Sequence, residues 1–334
     1  PPPPPPPHFS SRRRHTRCNR WSRGLGDVYK RQPIAKQLKM EAGDMLEAVL
    51  EGAFLGNHRF DKYKKEKKLI PLKSISLLTT TAHAKKYRPL VHKVKAVCTG
   101  TLKAREWVST PSNDKRPGAF SRMLVREARK EKLRTRVLTD KDLRQGKYGA
   151  ILAVGEGSQD KPRLVELVFA PRGAKQTIAL IGKGVTFDTG GINLKPSGGI
   201  EDMKIDMAGA AAVAAALMAV ARLKLKVKVV GIIPIVENMP SGTATRPGDV
   251  VKSYAGKTIE IGNTDAEGRL ILIDAMAHAI KKFKPDAMVD IATLTGACMV
   301  ALGDKIAGVF SGDDDLAAAI VAAGEKTHER TWRM

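Results

Sequence analysis

Residues 226–237 read KVKVVGIIPIVE, and between Lys228 and Glu237 the run carries no charge. A strand with one wet face alternates apolar and polar residues, whereas an unbroken Val/Ile run marks a strand covered on both faces. This segment is therefore expected at the centre of a sheet with helices above and below it. Outward from it the pattern repeats. Segments 133–138, 162–170 and 176–183 read as strands, as do AILAVGEG at 150–157 and AMVDIATLTGA at 287–297, with a short extended piece at 257–261. Segments 119–131, 141–145, 207–223, 269–283 and 313–328 read as helices. Strands and helices in alternation predict an α/β fold, a mostly parallel central sheet flanked by helices.

Towards the N-terminus the pattern changes. Residues 1–32, PPPPPPPHFSSRRRHTRCNRWSRGLGDVYKRQ, have no hydrophobic period and read as a non-native tail rather than a selected basic arm. MLEAVLEGAFLG (45–56) has helical spacing, and ISLLTTT (75–81) is strand-like. From 83 to 110 the breakers are few, so the segment reads as a helical linker; Pro111 and Pro117 then punctuate a boundary.

The balance is basic, 58 Lys and Arg against 34 Asp and Glu, a formal charge of +24. Ten of those cations fall in the first 40 residues, against Asp27 alone. Such an excess bears on contact with polyanions and on solubility, not on fold. Three cysteines, Cys18, Cys98 and Cys298, form no C-x-x-C, which argues against a disulfide framework and for a reducing, cytoplasmic setting. No stretch reaches the ~18 apolar residues of a membrane span, and no apolar leader is visible.

The chemistry concentrates in two loops. Residues 181–206 read IGKGVTFDTGGINLKPSGGIEDMKID, and residues 263–269 read NTDAEGR. They carry Lys183, Asp188, Lys195, Asp206, Asp265, Glu267 and Arg269. Charges beside apolar strands either pair with one another or hold a metal. Asp265 and Glu267 are two residues apart, so on an extended segment both project to one side, where a cation relieves their repulsion. Oxygen donors of this kind suit Mg, Mn or Zn. All seven histidines lie outside the loops and no H-E-x-x-H occurs, which argues against a histidine-based zinc peptidase. Four carboxylates suffice to bridge two ions, about 3.5–4 Å apart in two-metal hydrolases. Lys195 and Arg269 would then stabilise charge developing on a substrate oxygen. The competing reading is a structural ion-pair network of the same seven residues, and spacing alone leaves both open.

Other motifs are weaker. Asp188-Thr189-Gly190 is a lone D-T-G without a second aspartate motif, Gly182-Lys183-Gly184 lacks the rest of a P-loop, and Gly155-Glu156-Gly157 lacks the third glycine of a dinucleotide fingerprint. His278 has apolar helical neighbours and is expected to be a satisfied core histidine; Cys298 is expected to be inert packing.

IGKGVTFDTGG with its following lysine and aspartate, together with NTDAEGR, resembles the signatures of the leucyl aminopeptidase (cytosol aminopeptidase, M17) family. The likeness extends through ENMPSGTATRPGDVV (237–251) and DIATLTGACMVALG (290–303) and covers about residues 34–334. The resemblance implies a two-metal exopeptidase that removes leucine and other N-terminal residues from peptides, a metal-activated water attacking the scissile carbonyl. Asp188 and Glu267 would bridge two divalent ions (Mn2+ or Zn2+, with Mg2+ a third option). Lys183 and Asp206 would complete one site, and Asp265 the other. Lys195 and Arg269 would be the catalytic cations, with a bicarbonate near Arg269. Lys183 would have to bind as a neutral amine, which requires a strongly lowered pKa. The family also implies a homohexamer. On this basis residues 33–82 are expected to be the remnant of a smaller N-terminal α/β domain, and 111–334 a catalytic domain whose family pattern continues beyond Met334. The alternatives are a DNA-binding role known for some members of the family, for which the sequence offers no nucleic-acid motif, and an inactive fragment.

Overall fold

The computed structural model describes residues 41–66 and 72–334. The tail at 1–32 and the start of the segment after it lie outside the described residues. The chain divides into two compact units, residues 1–95 and 96–334, the change falling within one long helix.

In the first unit α1 (Ala42–Gly56) forms where the helical spacing predicts it and buries Leu50. Helix α2 (Thr81–Ser109) begins here and runs on into the second unit with Pro89 inside it. Lys93 pairs with Glu47 at 2.7 Å, and Asn57 exchanges two hydrogen bonds with the backbone of Leu72. The strand-like run at 75–81 is not a strand. Residues 72–80 have no regular structure and Ile75, Leu77 and Leu78 are exposed. Strand propensity is realised only against a partner ladder, and none faces this run among the described residues.

The second unit follows the alternation. Its elements are α3 (Pro117–Lys130), β1 (Arg134–Leu138), α4 (Asp140–Gln145), α5 (Gly149–Gly155), β2 (Arg163–Phe169), β3 (Thr177–Gly182), β4 (Gly184–Asp188), α6 (Ser197–Ile200), α7 (Ala208–Leu223), β5 (Lys228–Asn238), β6 (Val250–Lys252), β7 (Thr258–Glu260), α8 (Glu267–Phe283), β8 (Ala287–Ile291), α9 (Ala297–Leu302), β9 (Ala307–Val309), α10 (Asp314–Thr327) and β10 (Thr331–Arg333). The main sheet has the order β1-β2-β5-β3-β8, with β4 also on β5. The pairs β3–β5, β4–β5 and β3–β8 are parallel, and β1–β2 and β2–β5 antiparallel. As expected, β5 is central and buried along almost its whole length.

Strands β3 and β4 are one strand interrupted at Lys183. Ile181 faces Ile232 and Gly184 faces Ile235, so the register on β5 holds across the break. At the break the Lys183 N–H donates to Ile291 O at 3.1 Å, and its carbonyl accepts from Ala210 N at 2.8 Å. Each face of the sheet has its own core. Ile151, Ile181, Ile232 and Ile271 pack under α5 and α8; Phe120, Leu124, Val213, Leu217 and Ile233 pack under α3 and α7. The neighbours Ile232 and Ile233 enter opposite cores, as strand geometry requires. Helix α7 presses so close to the sheet that a Cβ on Gly209 would lie 1.9 Å from Ile291 O. Residues 197–223 contain a window apolar enough by composition to cross a membrane, but more than half of that window is buried in this core.

Two expectations change here. AILAVGEG is the helix α5, not a buried strand. The Asp274 carboxylate on α8 accepts from Ala150 N and Ile151 N, both at 3.0 Å, and so caps the helix start. A run this short is ambiguous by pattern, and a tertiary cap decides it. The apolar run at 287–297 is a strand only to Ile291; a loop and then α9 follow.

Candidate metal centre

Both charged loops lie at the carboxyl end of the parallel strands, where α/β sheets place their ligands. Lys183 sits in the break between β3 and β4, Asp188 ends β4, and Asp206 precedes α7. Asp265 lies in the turn before α8, and Glu267 is the first residue of that helix. The expectation that Asp265 and Glu267 share an extended segment is therefore corrected. The helix begins at Glu267, and it is the turn into it that brings the two carboxylates together.

Thr264 stitches the loops. Its hydroxyl donates to Gly190 O at 2.7 Å and accepts from Asn193 N at 2.9 Å, while its N–H donates to Asn193 Oδ1 at 2.8 Å. Gly190 and Gly191 have φ of +89° and +66°, conformations that a side chain would strain. A Cβ at Gly190 would also sit 2.8 Å from Asp265 Oδ1. The turn can thus be tight only because it is glycine.

Lys183 Nζ lies 2.9 Å from Asp206 Oδ2 and 2.7 Å from Glu267 Oε1, and donates to Thr293 O at 2.5 Å. Its stem runs over Gly268, whose added Cβ would meet it at 3.1 Å. Lys195 Nζ lies 2.9 Å from Asp188 Oδ2 and 2.5 Å from Asp265 Oδ1. Asp188 Oδ1 accepts from Gly190 N and from Asn238 Nδ2, and Asp206 Oδ1 accepts from the Thr293 hydroxyl. The structure thus gathers six of the seven expected residues: Lys183, Asp188, Lys195, Asp206, Asp265 and Glu267. Arg269 stands apart. It is exposed and has no hydrogen bond or ion pair among the described residues. Two residues along a helix is about 200° around it, so the side chains of Glu267 and Arg269 leave α8 in different directions.

Asn238 and Thr293 orient the carboxylates. Asn238 is the last residue of β5 and Thr293 lies two residues beyond the end of β8; a polar side chain after an apolar run is the one signal by which sequence could have marked them.

These residues fit a metal. Oxygens of Asp188, Asp265 and Glu267 lie within 4.8 Å of one another. Three buried oxygens, Asp206 Oδ2, Asp265 Oδ1 and Glu267 Oε2, have no directed hydrogen bond. The first two face a lysine charge; Glu267 Oε2 has no hydrogen-bond donor among the described residues, its carboxylate meeting Lys183 through Oε1. A buried carboxylate oxygen left so is costly unless a cation takes it up. Burial, reinforced by neighbouring carboxylates, pushes Asp206 up to about 6 and Glu267 up to about 7, against the pull of Lys183. Burial acts to lower Lys183 too, but Asp206 and Glu267 outweigh it and hold the amine above its ordinary range. The neutral amine expected at Lys183 is therefore not produced by the protein's own groups. Only a divalent charge beside Nζ would invert that balance.

An acid-rich, lysine-bearing cation site at the carboxyl end of an α/β sheet defines the class: an α/β metalloprotein with an oxygen-donor centre. The sequence places it further. Residues 102–334 match the family model described as "Cytosol aminopeptidase family, catalytic domain", and the chain belongs to that family. A probable cytosol aminopeptidase of Streptomyces avermitilis is 47% identical over 289 residues, covering 85% of this chain and 56% of the relative. One from Chlorobium limicola is 44% identical over 311 residues, covering 90% and 62%. Among solved structures, the bottromycin maturation enzyme BotP in complex with Mn is 40% identical with a TM-score of 0.81, covering 88% of this chain and 62% of that one. The chain thus spans less than two thirds of the length of these relatives.

Proposed function

We propose that the chain carries the active centre of a metal-dependent aminopeptidase that removes N-terminal residues, leucine among them, from peptides in the cytoplasm. The observation that carries this reading is the carboxylate trio Asp188, Asp265 and Glu267, the first and last buried and Asp265 half-buried, with Glu267 Oε2 lacking a hydrogen-bond donor among the described residues. Asp188 and Glu267 would bridge two divalent ions, Lys183 and Asp206 completing one and Asp265 the other; manganese is the first candidate because the BotP structure holds it. Such ions supply a Lewis acid for the scissile carbonyl and a water activated near neutral pH.

The chain's own groups do the rest. Asn238 and Thr293 fix the carboxylate orientations. Lys195, partly exposed and tethered between Asp188 and Asp265, offers a cation to the carbonyl oxygen as charge develops there. Arg269, exposed at the start of α8, is the proposed catalytic cation at the rim and the proposed holder of a bicarbonate. A homohexamer is the proposed assembly of the whole protein.

The test is Mn2+ binding stoichiometry on a chain beginning at Pro33, beside the variant Asp265→Asn, Glu267→Gln. Two ions bound by the parent and lost in the variant are expected. No binding by a chain shown to be folded by circular dichroism would overturn the two-metal reading.

A further inference from the structure

A wide groove in the second unit lies away from the metal centre. It lies between α3 and the β1 edge of the sheet, has a volume of about 740 Å³, and is lined by Arg122, Arg126, Arg129, Lys130 and Arg163 over an apolar floor of Val125 and Val137. No carboxylate lines it. Glu127 points elsewhere on the same helix, where Arg126 and Lys130 share it.

Two of these cations converge where nothing neutralises them. An added Cβ on Gly118 would lie 3.5 Å from Arg122 Nη1 and 3.9 Å from Arg163 Nη2. Both guanidinium heads therefore hang over the same glycine, which leaves them room. Arg122 has no hydrogen bond or ion pair among the described residues, and Arg163 uses Nη1 on the carbonyls of Lys161 and Pro162, leaving Nη2 towards the groove. Like charges held this close without an acid repel one another. A bound oxyanion removes that repulsion, and paired guanidiniums match the geometry of a phosphoryl group.

The cations continue past that point. Arg122, Arg126 and Arg129 follow one another along α3 at spacings of four and three residues, with Lys130 directly after, and this stripe is about 12 Å from end to end at helical rise. One phosphate is too small to engage such a stripe; a short chain of phosphates is not. A volume near 740 Å³ is in the range of small-molecule sites. We propose that this groove binds a linear polyphosphate, with Arg122 and Arg163 on one phosphoryl group and the α3 stripe on those that follow.

The test is calorimetry with the whole chain in metal-free, EDTA-treated buffer, so that chelation at the carboxylate centre cannot contribute. Probes are sodium tripolyphosphate, ATP and orthophosphate. Tripolyphosphate is expected to bind one to one and much more tightly than orthophosphate. In Arg122→Gln, Arg163→Gln, affinity should fall about tenfold or more, and a charge-matched control away from the groove, Lys175→Gln, Lys257→Gln, should change it less than about twofold. Tighter binding of ATP than of tripolyphosphate would assign the phosphate chain to a nucleotide, with the base on the valine floor; equal binding would assign it to inorganic polyphosphate. Equal losses in the two double variants, orthophosphate binding as well as tripolyphosphate, or a single-stranded oligonucleotide outcompeting both probes would each overturn the proposal.

Discussion

Lys115 shows how one residue can be legible as a type and illegible as a role. It is fully buried, and no carboxylate pairs with it among the described residues. Its Nζ donates to the carbonyls of Trp107 and Val108, both at 2.9 Å, in the last turns of α2, and lies 3.2 Å from Met207 Sδ. The end of a helix is where a cation is favoured, but burial, with Lys204 adding to it, lowers this amine to about 7. In the unfolded chain it titrates near 10.5. Between those values the unfolded state binds the extra proton, so stability is expected to rise with pH from about 7 to about 10.5, with a slope approaching about 1.4 kcal/mol per unit. Urea denaturation across that range checks it, and Lys115→Met should abolish this component of the slope. In the sequence Lys115 is one basic residue among 58. At the metal centre the reverse holds, because Lys183, Asp188, Asp206, Asp265 and Glu267 stand in glycine-rich turns where charge has no structural reason to cluster. His278 also follows expectation: it is buried, with Tyr148 Oη at 2.6 Å and Glu166 Oε1 at 3.0 Å on its two ring nitrogens.

At the scale of elements, most helices and strands follow from hydrophobic period, and the exceptions are decided by contacts from afar. Helix α5 depends on Asp274, which also accepts from Tyr254 N at 2.6 Å. Asp274→Asn turns an amide towards backbone donors and is expected to cost about 1–3 kcal/mol, with loss of helical ellipticity beyond what a matched surface change produces. The approach of α7 to the sheet makes a second prediction. Gly209→Ala places a methyl against Ile291 O and is expected to destabilise by about 1–3 kcal/mol. Gly52→Ala in α1, where an added Cβ meets nothing, should instead stabilise its helix by up to about 1 kcal/mol. Thermal denaturation of the pair should give shifts of opposite sign; a like shift in both would contradict the close packing of α7. Neither outcome can be read from the Ala-rich sequence of α7, because helix propensity does not know how near the sheet lies.

At the scale of the whole molecule, exposed apolar side chains occur in several stretches, and the two most exposed large ones lie towards the C-terminal end. Val300 is 90% and Phe310 78% exposed, and Leu294, Met299 and Trp332 are exposed as well. Apolar surface of this extent promotes association in water. Light scattering is expected to show concentration-dependent self-association of the chain, and Val300→Lys with Phe310→Lys should reduce it without moving the melting temperature by more than a few degrees. A monodisperse monomer at all concentrations would count against this surface as an association site.

By itself the sequence determined the α/β class, the central place of β5 and the identity of the charged cluster. Each rests on local chemistry: a Val/Ile run long enough to need cover on both faces, and carboxylates set in turns of glycine. The tertiary structure decided what depends on distance between remote segments. It made 149–155 a helix through Asp274, left 72–80 without strand partners, joined β3 to β4 across Lys183, and sent the side chains of Glu267 and Arg269 out of α8 in different directions. It also decided the protonation of Lys183, because the field at a buried amine is set by the carboxylates brought to it, and folding alone brings them.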